Sequence, residues 1–161
     1  MESPDVVLVS CYALGHQPFD LASPLAMLSQ AGVAAYGLDL SVQDIADHTN
    51  AVCAARFVGI SVPMHTSLRL GERAARQVQD LNPQAHICFY GDYAELNSEY
   101  LLRDIADTTV AGEYELALLN LVKSVLHGEF DAEAPPEYIR TAQFSGGPSL
   151  LRFGFESPLR D

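Results

Sequence analysis

The strongest constraint on this chain is an alternation. Short, nearly continuous apolar runs, rich in β-branched residues, are separated by stretches whose apolar residues recur at helical spacing. The runs are Val6-Val7-Leu8-Val9, residues 33–40, Phe57-Val58-Gly59-Ile60-Ser61-Val62, residues 86–90 and residues 108–111. Each has the length and composition of a strand covered on both faces. Pro63 closes the third run because proline has no N–H to give to a ladder. Between the runs, Leu21, Leu25 and Leu28 mark a helix stopped at Gly32, and Leu70, Ala74, Val78 and Leu81 mark another ended by Asn82-Pro83. Ser41 is placed to cap a helix with apolar positions Val42, Ile45, Ala46, Thr49, Val52 and Cys53, and Thr66 or Ser67 to cap the helix of residues 70–81. A less regular helix is expected over residues 95–104, and Leu118, Leu119, Val122, Val125 and Leu126 make a last one stopped at Gly128.

Strand and helix thus alternate through the first 128 residues, the pattern of an α/β fold with a doubly wound, five-stranded parallel sheet, flavodoxin-like or more broadly Rossmann-like. From Glu129 the pattern gives way to acids, prolines and glycines, such as Glu133-Ala134-Pro135-Pro136 and Ser145-Gly146-Gly147-Pro148. Residues 1–128 are therefore expected to form one domain, and 129–161 a linker or tail.

Charge removes several functions. Nine Lys and Arg stand against 21 Asp and Glu, a formal net charge of -12, which repels nucleic acid and anionic membrane surfaces. No apolar run approaches the roughly 18 residues of a membrane span, and the two acids in residues 1–5 do not read as a secretory signal. A cytoplasmic location is the expectation. Cys11, Cys53 and Cys88 match no zinc or CxxC spacing and sit beside apolar neighbours, so buried reduced thiols are expected. Cys11 as the nucleophile of a small transferase would need a depressed thiol pKa, and no cation lies nearby in sequence.

In a doubly wound sheet a ligand sits beyond the carboxyl ends of the strands, where neighbouring connections leave to opposite sides. In the order 2-1-3-4-5 that point lies between strands one and three. The facing loops are Leu14-Gly15-His16-Gln17-Pro18 and Ser61-Val62-Pro63-Met64-His65, with Gly91-Asp92-Tyr93 and Gly112-Glu113-Tyr114-Glu115 further along the edge. A dinucleotide site needs G-x-G-x-x-G after strand one, where this chain has one glycine; a nucleotide-triphosphate loop needs G-x-x-x-x-G-K-[ST], but the only lysine is Lys123. A receiver domain would end strand three on an aspartate, and a flavodoxin would place a hydroxyl-rich loop after strand one; neither is present. What remains is a ligand that suits an apolar, glycine-lined groove with a few hydroxyl and imidazole contacts. A corrinoid meets that description.

The chain from residue 6 to about 126 resembles the cobalamin-binding domain at the N-terminus of cobalamin-dependent radical SAM enzymes. The likeness is carried by Gly15-His16-Gln17-Pro18 followed by Leu21-Ala22-Ser23-Pro24-Leu25, by Ala31-Gly32, by Val58-Gly59-Ile60-Ser61, by the Gly91 loop, and by Gly112-Glu113-Tyr114-Glu115, similar to that family's Gly-Glu-x-Glu turn. The His16 loop looks closest to a subgroup with a cysteine- or selenocysteine-containing tail. The resemblance implies that Ser61 bonds the buried dimethylbenzimidazole of cobalamin, and that Gly91 and Gly112 let backbone approach the nucleotide tail. It also implies that residues 14–18 and 62–66 face the corrin ring, with Asp92, Tyr93 and Glu113 nearby. For Ser61 the other reading is a bond to neighbouring backbone. Glu113 and Glu115 need no chemistry, since acids at a helix start complement its dipole.

Cobalamin domains that ligate cobalt from below carry Asp-x-His-x-x-Gly. Aligned on His16, this chain has Leu14 for the aspartate and Phe19 for the glycine. His16 is then either a cobalt ligand or, as the broken motif favours, a loop histidine beside a corrin whose cobalt has no protein ligand. No CxxxCxxC spacing is present, so no iron–sulfur cluster is expected in these 161 residues. The resemblance implies a corrinoid carrier, with methyl transfer completed by a radical SAM core domain or partner; the ending Pro158-Leu159-Arg160-Asp161 is similar to the stretch that precedes such a core. The alternative is a flavodoxin-like interaction or sensing domain that has lost its ligand.

Overall fold

A computed structural model of the chain describes residues 3–13 and 15–143. Leu14 and the Pro158-Leu159-Arg160-Asp161 ending lie outside the described residues.

The apolar runs form β1 (Val6–Ser10), β2 (Ala35–Asp39), β3 (Phe57–Ser61), β4 (His86–Tyr90) and β5 (Thr108–Val110). The sheet runs β2-β1-β3-β4-β5-β6, with the first five strands parallel. The sixth, β6 (Ile139–Thr141), was not expected: it pairs antiparallel with β5, Ile139 opposite Val110 and Thr141 opposite Thr108. Part of the stretch read as linker therefore closes one sheet edge. The signal is faint because only three residues pair, and Ile139 and Thr141 turn inward on either side of the half-buried Arg140.

Strand pleating divides the core in two. Val7, Val9, Val58, Ile60, Ile87 and Phe89 face one way, beneath α2 (Thr49–Ala54), α3 (His65–Leu81), α4 (Asp92–Leu96) and α5 (Ser98–Asp104). Val6, Leu8, Phe57, Cys88 and Tyr90 face the other way, beneath α1 (Phe19–Gln30) and α6 (Tyr114–Leu126). The connections after β1 and β3 leave to opposite sides, so the switch point falls between them, as the sequence order required.

Local corrections follow from caps. Asp44, not Ser41, begins the second helical segment: its carboxylate accepts from Ala46 N at 3.0 Å and starts a 3-10 turn (Ile45–His48) that runs into α2. The Ser41 hydroxyl instead donates to Asp39, and Val42 is left exposed. α3 starts at His65 without a side-chain cap, because Pro63 and extended Met64 (φ -150, ψ 166) end the preceding loop there. Asn97 divides the expected 95–104 helix into α4 and α5. Cys11 and Cys88 are buried free thiols, as expected, but Cys53 is exposed at the end of α2.

Candidate functional site

At the carboxyl ends of β1, β3 and β4 the register aligns Ser10 with Ser61 and Ser61 with Tyr90. Two residues on from Leu8, Gly59 and Cys88, all three project to the α1/α6 side. A polar row thus crosses the switch point beneath α1 and α6.

The row is incompletely satisfied. Ser10 and Ser61 are each 1% exposed, and neither hydroxyl has a hydrogen-bond partner. The backbone bond that was the other reading of Ser61 is not made. Among the described residues two further buried side-chain oxygens lack partners, one carboxylate oxygen of Asp20 in the first turn of α1 and the hydroxyl of Ser67 in the first turn of α3. All four stand at this edge. A buried polar group without a partner costs about 1–3 kcal/mol, and such groups in a folded protein mark a ligand, a water or a functional strain.

Tyr90 is the satisfied member of the row, its phenol donating to the Asp20 carbonyl at 2.8 Å. Its ring lies 4.8 Å from that of Tyr114 at the start of α6. Burial, then the Asp20 charge, raises the Tyr90 phenol well above its ordinary value, and burial with the charges of Glu115, Asp20 and Asp92 pushes Tyr114 up to about 12. Both stay neutral donors. Burial, reinforced by Asp20 and Asp39, also pushes the Cys11 thiol up to about 12. That is opposite to what a nucleophile needs and agrees with the absence of a nearby cation in counting against a transferase.

Gly91 has φ +105, and a Cβ there would stand 3.1 Å from the Val62 carbonyl carbon and oxygen. The close approach requiring glycine is thus first to the protein's own β3 loop: Val62 N donates to Tyr90 O and Tyr93 N donates to Val62 O. Gly59 has no room for a side chain either, since a Cβ would lie 2.7 Å from Leu8 Cδ2 and 3.3 Å from Tyr90 Cε1. Leu8 and Tyr90 occupy the space beside it.

The other expected site residues gather at the same edge. Gly15, His16 and Gln17 are exposed in the loop that leads through Pro18 into α1, and Leu14 lies outside the described residues. His65 opens α3 and meets the Tyr93 ring edge-on at 6.3 Å. Pro63 is exposed and Met64 half-buried. Asp92 begins α4, Gly112 has φ 67, and Glu113 is the exposed residue before α6. The loops after β1, β3, β4 and β5, and the first turns they feed, carry no lysine or arginine. No group of three His, Cys, Asp or Glu is poised to hold a metal among the described residues, and no described helix is long and apolar enough to cross a membrane.

Ser10, Asp20, Ser67, Tyr90 and Tyr114 were not singled out from sequence as site residues. Ser10 was legible in principle, because it directly follows the first apolar run as Ser61 stands near the end of the third. Asp20 was not, since its position over β4 arises from the packing of α1.

No curated protein matches this sequence. Among solved structures, the radical S-adenosylmethionine methyltransferase TsrM from Kitasatospora setae, with tryptophan substrate and a SAM analogue bound, shares the fold with a TM-score of 0.68 at 18% identity. The match covers 84% of this chain and 28% of that enzyme's chain. Residues 5–122 match the B12 binding domain, and with this fold and this strand-end site the chain belongs to that family.

Proposed function

We propose that this chain holds a corrinoid at the carboxyl edge of its sheet and presents it to a radical SAM methyltransferase core, carried elsewhere on a longer chain or on a partner. The observation that supports this most is that the buried Ser10 and Ser61 hydroxyls, side by side across the switch point, and an Asp20 oxygen from α1, which roofs them, all lack partners. The donor set fits the nucleotide tail of a corrinoid: two hydroxyls that can donate or accept, a carboxylate oxygen, and the Tyr90–Tyr114 aromatic pair for a planar base. With no lysine or arginine in the surrounding loops, the tail's phosphate is left to backbone N–H groups at helix starts. When bound, the corrinoid supplies a cobalt centre that carries a methyl group between donor and acceptor. The protein's part is to bury the tail, to hold it through Ser61, and to expose the ring beside residues 15–18 and 62–66.

His16 is exposed on a loop where the aspartate of the ligating motif is absent. The cobalt is therefore proposed to have no protein ligand, with His16 a neighbour of the ring. The test is to incubate the purified chain with hydroxocobalamin or methylcobalamin, desalt, and record the visible spectrum and stoichiometry. Retention near one per chain with a base-off spectrum, unaltered in His16→Ala, is expected. A large spectral change in that variant would make His16 a ligand; a colourless protein under all conditions would overturn the corrinoid reading. That last result would favour the ligand-free interaction domain, which has one observation on its side, the filling of the space beside Gly59 by Leu8 and Tyr90.

A further inference from the structure

We infer that the strand-end row selects the lower base of the corrinoid, and that the base it fits is an aminopurine such as adenine rather than a benzimidazole. The inference rests on the corrinoid reading above and concerns which corrinoid. It comes from matching donors to acceptors. A benzimidazole joined to its ribose keeps one in-plane nitrogen, an acceptor, and has no N–H. One serine hydroxyl, that of Ser61, satisfies it completely. The Ser10 hydroxyl, 1% exposed and in register beside Ser61, would then remain unpartnered. So would the buried Asp20 oxygen, which as a carboxylate accepts only and needs a donor.

An aminopurine brings what is missing. It offers several ring nitrogens along its edge, enough for both serine hydroxyls, and an exocyclic amine that donates. The Asp20 carboxylate is the partner of the right sign for that amine. Asp20 stands in the first turn of α1 over the end of β4, where the Tyr90 phenol holds its own carbonyl at 2.8 Å. Tyr90, with its OH already engaged, has no hydrogen left to donate and serves as an aromatic wall, with the Tyr114 ring tilted 47° beside it. Sites that hydrogen-bond a ligand group discriminate strongly against analogues lacking it, because their own buried groups are left unpaired.

The experiment compares three probes by equilibrium binding to the intact chain: the cobamide with adenine as lower base, cobalamin with dimethylbenzimidazole, and cobinamide, which has no nucleotide. The adenine cobamide is expected to bind at least about tenfold more tightly than cobalamin, with cobinamide weakest. Ser10→Ala and Asp20→Ala should each shrink the preference while leaving cobinamide affinity unchanged, and Asp20→Asn, which keeps an acceptor oxygen, should restore part of it. Equal or tighter binding of cobalamin would overturn the aminopurine inference and leave the corrinoid reading intact. Cobinamide binding as tightly as the complete cobamides would overturn it as well, since the base would then be unread. A loss of affinity in Asp20→Ala that is equal for all three probes would assign Asp20 to a corrin amide and overturn its role in selection. If none of the three binds, it is the underlying corrinoid reading that fails. The wild-type comparison needs no variant, so a poorly folding substitution does not block the test.

Discussion

At the amino edge of the sheet the side-chain polar groups are tied to the protein itself. The Asn82 amide donates to the carbonyls of Val52, Cys53 and Ala55 at 2.9, 3.2 and 2.8 Å, closing the end of α2 onto the start of β3. Arg56 donates to Leu126 O at the end of α6, Asp107 accepts from Ile87 N, and His86 pairs with Thr108 while stacking on Phe57. At the carboxyl edge, a strand's length away, four buried oxygens have no partner. Natural chains break local rules where function requires it and compensate elsewhere. One end of this sheet is closed by its own hydrogen bonds, and the other keeps buried polar groups unsatisfied.

Gly91→Ala puts the largest strain on that contrast, because it asks whether a carboxyl-edge residue serves the protein or the ligand. Its φ of 105 and ψ of 173 belong to glycine almost exclusively, and the added Cβ meets backbone atoms of Val62 that cannot swing aside. A loss of about 3 kcal/mol in urea unfolding is expected. If stability were unchanged while corrinoid retention vanished, the glycine would exist for the ligand alone. Asn82→Ala, at the other edge, should cost about 2–3 kcal/mol by stranding carbonyls, with corrinoid affinity untouched in the protein that remains folded. A fall in affinity there would mean the two edges are coupled.

Ser10→Ala and Ser61→Ala should invert the usual outcome of a core substitution. Each removes a buried hydroxyl that has no partner, so the ligand-free protein should gain about 1 kcal/mol while retention of the preferred cobamide weakens about tenfold. Calorimetry with and without ligand reads both signs at once. Destabilisation of the ligand-free protein by either change would show that the hydroxyl is already satisfied and would remove the contrast between the edges.

How much of this was readable beforehand follows the same division. β1, β3 and β4 were plain because buried parallel strands are continuous apolar runs with few alternatives, and their order put the switch point between β1 and β3. The edge elements were harder. β6 is held by three residues of no marked pattern, and the helix after β2 begins at Asp44 because a carboxylate there reaches Ala46 N, a competition with Ser41 that spacing does not rank. In the site, Ser61 and the glycines announced themselves by type. The Ser10–Ser61–Tyr90 row depends on register, and the Asp20 contact on how α1 lies over β4, neither of which a linear pattern contains.

The smallest expected effect is a pH dependence confined to the amino edge. Burial lowers the His86 pKa from its ordinary value of 6.5, with the nearby Asp107 carboxylate working the other way. The imidazole is packed against Phe57 and Phe130 and engaged with Thr108. Below pH 6.5 the unfolded chain takes up a proton at this position that the folded chain resists, so the unfolded state binds more protons and stability falls as pH falls. The loss levels off once pH passes below the lowered folded value, where both states are protonated. Urea midpoints measured between pH 7.5 and 5.5 should therefore drop further for the wild type than for His86→Gln, whose side chain does not titrate, the carboxylates being common to both. Equal drops would show that His86 accepts its proton in place. The satisfied edge would then be more permissive toward charge than its hydrogen bonds imply.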